Sequence, residues 1–204
     1  MKPRTLERKW QKKWQSAKVF ESEPIDGKEK YFVNCPYPYM NGYLHLGHAF
    51  TYLRADIVSR FQRMKGKNVL FPFAFHCTGT PIVAAAQRVK EGEESQIQAL
   101  KQMGLSDTLI RKLARPEEWT KHFPNKAIQD LKNFGTSIDW RRSFITTSLN
   151  PPYDRFIRWQ FKKLLTGKYL IKGSFPVVWC PKRKTVVGDH DRLSGEGETP
   201  QEYT

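Results

Sequence analysis

Between residues 31 and 91 the chain alternates short apolar runs with helical patterns, and this order limits its fold more than any other feature. Residues 31–35 read as a buried strand. From 46 to 64, Leu46, Phe50, Leu53, Ile57, Phe61 and Met64 recur at helical spacing, which predicts an amphipathic helix with these as its apolar face. Gly66 closes that helix, because glycine takes the left-handed conformation at a helix end without strain. "NVLFPFAF", 68–75, is a second strand. Thr80-Pro81 is a cap followed by a first-turn proline, opening a helix over 81–91. Strand, helix, strand, helix in this order is the pattern of a parallel sheet with crossover helices. The fold class is therefore α/β, with one Rossmann-like half.

Elsewhere the chain is mostly helical. Leu6, Trp10 and Trp14, four apart among Lys, Arg and Gln, predict an amphipathic helix over 4–18 that packs through its aromatic stripe, and "SEPIDGKEK" is a linker. Residues 92–135 are polar and helical, with Ile128, Leu131 and Phe134 as one inward face. "NPPYDRFIRWQFKKLLTGKY" is a helix ended by Gly167, after which "YLIKGSFPVVWCP" returns to β.

Composition narrows the function classes. At 204 residues, with 39% hydrophobic and 13% aromatic residues, the chain can bury a core and is not a disordered tract. Lys+Arg at 35 against Asp+Glu at 20 gives a net charge of +15, spread along the chain; it serves either solubility or a polyanionic partner such as nucleic acid. Cys35, Cys77 and Cys180 form no C-x-x-C pair, which supports neither a disulfide framework nor a zinc knuckle and suits a reducing cytosol. The start "MKPRTLERKW" has no apolar signal core and no run approaches membrane-spanning length, so the expected location is cytoplasmic.

The chemistry concentrates in "PYPYMNGYLHLGH", residues 36–48, at the turn from the first strand into its helix. In a doubly wound sheet, ligands sit outside the carboxyl ends of the strands at such a turn. A helix N-terminus offers unpaired N–H groups and a partial positive charge, worth about 0.3–1 kcal/mol to an anion at an exposed site. Gly47 lets a phosphate or a base approach the backbone, and His45 and His48, one turn apart, aim at one ligand. Two alternatives stand beside this phosphate cradle: half of an H-x-x-H metal site, and two structural histidines at a tight turn. No G-x-x-x-x-G-K-[ST] loop is present.

"HLGH" resembles the His-Ile-Gly-His signature of class I aminoacyl-tRNA synthetases. With "PYPYMNG" before it, "FQRMKGKNVLFPFAFHCTGTPI" after it and "SIDWRRSFITTSLNPPYDRFIRWQFKKL" further on, the chain resembles leucyl-tRNA synthetases of the archaeal and eukaryotic branch. The resemblance covers essentially the whole chain. It implies the first, incomplete half of a Rossmann-like class I catalytic domain. Residues 1–28 would be an N-terminal helix and linker, 29–188 the catalytic half with a helical segment over 92–167, and 189–204 the start of an editing insertion. The implied reaction is ATP-dependent activation of leucine to leucyl-adenylate and its transfer to tRNA(Leu). Mg2+ accompanies the ATP, and no protein-bound zinc is expected in this segment. The remainder of the synthetase chain is a further implied partner, and a membrane is not.

By the same resemblance, His45 and His48 contact ATP phosphates and stabilise the charge that builds as the leucine carboxylate attacks the α-phosphate. Gly47 admits the adenine ring, and Asn41 and Gly42 lie in the turn entering the ATP pocket. Pro38 and Tyr39, with Tyr37 as neighbour, line the amino-acid pocket. Many class I enzymes carry Trp-Asp where this chain has Phe75-His76, so His76 stands where an aspartate would grip the substrate ammonium. A neutral imidazole can accept that hydrogen bond; the plainer alternative is a buried polar residue at a strand end. The segment near Asp139-Trp140 is expected to pack where the core meets inserted domains, without a catalytic role.

"GTPI" at 79–82 also occurs in methionyl enzymes, the nearest rival among methionyl, isoleucyl and valyl types, whereas "FAFHCTG" and "DWRRSFITTS" favour leucine. Asp189-His190-Asp191 reads as a metal cluster or as the strand entering the editing insertion, and the second is preferred. The Lys-Met-Ser-Lys-Ser loop, editing domain, second Rossmann half and anticodon-side bundle are missing, and "KRK" at 182–184 does not replace the loop. Editing is a physical need, since one methyl placement discriminates by only about 1–3 kcal/mol. The chain is thus expected to be an N-terminal fragment or one piece of a split enzyme. A stand-alone paralogue that binds nucleotide or RNA without catalysis is the alternative from another class.

Overall fold

A computed structural model of the chain describes residues 2–174, 176–181 and 184–187. It divides into two compact units: the chain up to His76 with Thr120–Thr146, and Cys77–Trp119 with the chain from Thr147 onward.

The first unit is built on three parallel segments. β1 (Lys30–Phe32) pairs with β2 (Asn68–Leu70), Lys30 opposite Asn68 and Phe32 opposite Leu70, and α2 (Leu46–Met64) crosses between them. β3 (Ala74–Phe75) pairs in parallel with β4 (Phe144–Ile145). Further main-chain bonds join these pairs. The N–H of Val33 donates to Leu70, that of His76 to Pro38 and that of Met40 to His76, while Asp139 and Thr146 donate to Phe71 and Phe75. Residues 68–76 therefore form the middle segment, with alternate residues bonding to opposite neighbours. Pro72 faces the first neighbour without an N–H to give, so the ladder lapses between Leu70 and His76. The run 68–75 is thus one strand in pattern and two short ones in hydrogen bonding. Val69, Phe71, Phe73, Ala74 and Phe75 are all buried, as a strand covered on both faces requires. The α/β class with parallel strands and a crossover helix holds.

α2 is inverted relative to its pattern. Leu46 is 87% exposed and Met64 85%, and Phe50, Leu53, Ile57 and Phe61 are exposed too, whereas Tyr52, Asp56 and Ser59 are buried. The inward face is polar because of what it meets. Asp56 accepts from the N–H of Ser137, Arg60 donates to the carbonyl of Gly135, and Arg63 to that of Ser137 at 2.9 Å. These are main-chain groups left open where α6 (Pro116–Phe134) ends and the chain turns toward β4. Burial pulls the Arg63 guanidinium down to about 10, and the nearby Asp56 carboxylate opposes that pull. Gly66, at φ +82, closes α2 as expected, its N–H bonding Arg63 and that of Lys67 bonding Gln62.

Other expectations shift in detail. α1 (Pro3–Ser16) buries no residue; Trp14 packs on Phe20 with centroids 5.6 Å apart, while Leu6 and Trp10 are about half exposed. On α6, Leu131 is buried but Ile128 only partly, and Phe134, in the last turn before Gly135, is 52% exposed; the inward face in this unit is Phe123, Ala127 and Leu131, at i, i+4 spacing.

The second unit holds α3 (Thr80–Lys90), α4 (Glu94–Gln102), α5 (Asp107–Lys112), the first turn of α6, and α7 (Pro151–Thr166). Its core is Ile82, Ala86, Leu100, Ile110, Leu113 and Trp119, whose Nε1–H donates to the carbonyl of Leu113 at 2.6 Å. Gly79, at φ +94, takes the cap position of α3 that the pattern gives to Thr80; Thr80 is the first helical residue. α7 ends at Gly167, yet the left-handed residue is Lys168, at φ +59. At Gly167 itself a Cβ would meet the Tyr169 ring at 2.8 Å, and that exposed ring would have to shift. In "YLIKGSFPVVWCP" only β5 (Trp179–Cys180) is strand among the described residues, paired antiparallel with β6 (Thr185–Val186). Lys182, Arg183, Asp189-His190-Asp191 and the expected editing insertion over 189–204 lie outside the described residues. Among the described residues no helix is long and apolar enough to cross a membrane.

Candidate functional site

The two histidines of "HLGH" are organised by the backbone of α2. His45 is its N-cap, extended at φ −128 and ψ 177, and its Nδ1 accepts from the N–H of Gly47 at 3.1 Å. His48, at the third helical position, turns its own Nδ1 back to accept from the N–H of His45 at 3.2 Å. This is a capping box in which imidazoles replace the usual hydroxyl and carboxylate, and it satisfies two of the open donors of the first turn. Both Nδ1 atoms are acceptors, so in the neutral rings the proton sits on Nε2. The rings lie 4.0 Å apart, and each is left with an Nε2–H donor beside the positive end of a helix.

Burial, and then the neighbouring His45, hold the His48 imidazole below its ordinary pKa. The cap works the same way, because a proton on Nδ1 would displace the His45 N–H. Behind His48 stands Tyr52, stacked at 6.0 Å, and behind Tyr52 the ring of Phe73 at 5.0 Å. An aromatic column thus ties the helix start to the middle strand.

Gly47 has a local reason in addition to any ligand. A Cβ there would lie 2.9 Å from Cε1 and 3.0 Å from Nδ1 of His45, inside the folded-back ring. Gly47→Ala is therefore expected to expel the His45 ring and open the cap, costing about 1 kcal/mol. Thermal unfolding of the variant beside Gly47→Ala/His45→Asn checks this; a double variant no more stable than the single one would show that the ring is not what the methyl strikes.

Of the residues expected to line the amino-acid pocket, the structure brings Pro38, Tyr39 and His76 together. Tyr39 and His76 form a parallel bridge with ring centroids 4.1 Å apart, and the His76 N–H donates to Pro38 at 2.9 Å. Tyr37 packs edge-on against Phe73 and Phe144 at 6.0 and 5.9 Å. Asn41 is exposed and Gly42 half-buried in the turn before α2.

The next residue, Tyr43, was not singled out by pattern. Its hydroxyl lies 3.2 Å from His122 Nε2 and its ring packs on Phe123 at 5.3 Å, anchoring the histidine loop to α6. No sequence signal links positions 79 residues apart. Cys35 and Cys77 are inert, since burial pushes their thiols up to about 11 and about 12.

The sequence profile of the class I tRNA synthetases (I, L, M and V) matches residues 9–199. This chain belongs to that family. Curated leucine–tRNA ligases are similar to this synthetase chain: that of Aeropyrum pernix is 50% identical over 200 residues, covering 98% of this chain and 21% of its own length. The one from Archaeoglobus fulgidus is 45% identical, covering 98% and 21%, and that of Methanosarcina barkeri 43%, covering 100% and 21%. The chain thus spans about a fifth of the length of the curated relatives it matches. Among solved structures, the agnB2 LeuRS of Agrobacterium radiobacter K84, in ternary complex with tRNA and LeuAMS, matches with a TM-score of 0.67 at 22% identity, over 89% of this chain and 20% of that one. The shared fold is the N-terminal part of a class I synthetase Rossmann-like domain.

Proposed function

We propose that this class I synthetase chain is the N-terminal catalytic portion of a leucine–tRNA ligase that activates leucine with ATP and passes leucyl-adenylate to tRNA(Leu). The observation that carries this is the pair of Nε2–H donors held by the His45–His48 capping box at the start of α2. ATP, with Mg2+ on its phosphates, lies over the helix start, its adenine beside Gly47 and its sugar–phosphate against the Asn41–Gly42 turn. The leucine carboxylate attacks the α-phosphate, pyrophosphate leaves, and the two imidazoles donate to the phosphate oxygens where negative charge gathers. Pro38 and Tyr39 form the wall of the leucine pocket and His76 accepts from the leucine ammonium, with Tyr37 supporting from behind. The identity to leucine–tRNA ligases favours leucine over the other three amino acids of the family. The remainder of the ligase supplies the rest of the ATP site and editing.

Leucine-dependent ATP–pyrophosphate exchange tests this, run on the 204-residue chain alone and joined to the remainder of a leucine–tRNA ligase. Exchange is expected only in the joined form; ATP binding without exchange in both would favour the non-catalytic paralogue. In the joined form His76→Ala is expected to raise KM for leucine by about tenfold, the loss of one hydrogen bond to a charged group, and leave KM for ATP nearly unchanged. Equal changes for both substrates would remove His76 from the leucine side.

A further inference from the structure

In the first unit, α1, the turn that follows it and the stretch from the end of α6 to Arg141 enclose a cleft of about 370 Å3. Trp14 and Trp140 stand in its walls, and Arg8, Lys12, Lys18 and Lys132 bring cations to it. Two carboxylates, Glu21 and Asp139, also line it, but both are engaged. Arg141 bonds Asp139 at 2.8 Å and lies 3.4 Å from Glu21, and the Ser22 N–H also donates to Asp139. Among the described residues none of the four other cations forms an ion pair, and Lys132 sits over the Trp140 ring at 5.6 Å. A concave site thus combines positive charge with two tryptophans, Trp14 carrying Arg60 over its ring at 4.9 Å and Trp140 carrying Lys132, so a base would meet each ring on its other face or at its edge. That pairing suits phosphates joined by nucleosides better than an acidic peptide, which offers charge without planar groups to stack.

Lys18 adds a second observation. It occupies the left-handed position that ends α1, at φ +52, with its N–H bonding Gln15 and that of Val19 bonding Trp14. Glycine is the default there, and a lysine costs backbone strain at a position that lines the cleft.

We propose that this cleft binds RNA, its phosphates held by Arg8, Lys12, Lys18 and Lys132 and a base or ribose set against Trp14 and Trp140. The choice of RNA as the polyanion rests on the function proposed above. The site is shared by α1, the turn after it and residues 132–141, and no residue of the histidine loop lines it.

The test is binding of fluorescently labelled tRNA transcript to the full-length protein over a salt series. Arg8→Glu/Lys12→Glu is expected to weaken binding at least about tenfold and to flatten the salt dependence by about two ions. Lys9→Glu/Lys13→Glu makes the same change in net charge on positions outside the cleft, and is expected to cost less than about twofold. Lys18→Gly separates structure from binding, since it should leave the melting temperature unchanged or higher while removing about one ion from the salt slope. Equal losses in the two paired variants, or no loss in either, would overturn the proposal. So would polyglutamate binding that Arg8→Glu/Lys12→Glu abolishes while tRNA binding stays intact. Leucyl-adenylate formation in the same preparations should be unaffected by all three changes. Its absence from the unaltered protein would count against the synthetase reading and leave the binding comparison intact.

Discussion

Replacing His45 or His48 with asparagine in the full-length protein is expected to slow leucyl-adenylate formation by about 100- to 1000-fold with little loss of ATP affinity. Asparagine is a good N-cap, so His45→Asn keeps an acceptor for the open N–H of the first turn and removes mainly the Nε2–H. Donors aimed at charge that appears in the transition state act on rate, whereas those felt equally in the ground state act on affinity. The rings lie 4.0 Å apart and are proposed to serve one phosphate group, so the double variant should lose less than the product of the single losses. Single-turnover measurements of the four proteins decide this. Unchanged rates in both single variants would reduce the histidines to a helix cap, and a loss confined to ATP binding would make them ground-state holders. The rate should also fall at a pH low enough to protonate His48, because a proton on its Nδ1 breaks the bond from the His45 N–H. The depressed pKa of His48 places that loss below the ordinary histidine value of about 6.5.

Asp139→Ala is expected to destabilise the first unit by about 3 kcal/mol, the low end for stripping one partner from a buried ion pair. The Asp139 side chain is fully buried and holds Arg141, Ser22 and its own turn together. Arg141 is 41% exposed and keeps Glu23 as a partner, which limits the loss. Burial pushes the Asp139 carboxyl up, but the bonds from Arg141 and the Ser22 N–H outweigh it and leave the pKa below the ordinary value. A carboxyl depressed by folding contributes stability above its unfolded pKa, about 3.9, and that contribution fades as pH falls through the folded value. Denaturant unfolding at pH 7 and pH 3 should show the difference between wild type and Asp139→Ala shrinking at the lower pH. A constant difference would mean that the charge is not what the site uses.

Much of the histidine site was legible in advance because it is local. A cap, its ring and the glycine beneath it lie within four residues, and the strand–helix turn that carries them is written in adjacent positions. Tyr43 was not legible, since its partner His122 is brought to it by α6. The aromatic column from His48 through Tyr52 to Phe73 likewise joins a helix to a strand through rings that no spacing rule connects. Tyr37 shows the same limit: its ring packs on Phe73 and Phe144, partners that lie far along the chain and that its own loop does not name.

By itself the sequence determined the order of strands and helices, the parallel pairing that this order implies, the end of α2 at Gly66 and the place of His45 and His48 at the start of that helix. Each depends on backbone preferences and hydrogen bonds within about one helical turn or on the length of a crossover. Only the tertiary structure decided which face of α2 is buried. Asp56, Arg60 and Arg63 face the main-chain groups of Gly135 and Ser137 left open beyond the end of α6, and in this chain, which spans about a fifth of its relatives' length, the apolar stripe is exposed. A buried main-chain polar group without a partner is costly, so the face that meets those groups is the polar one, and no spacing within the helix carries that information.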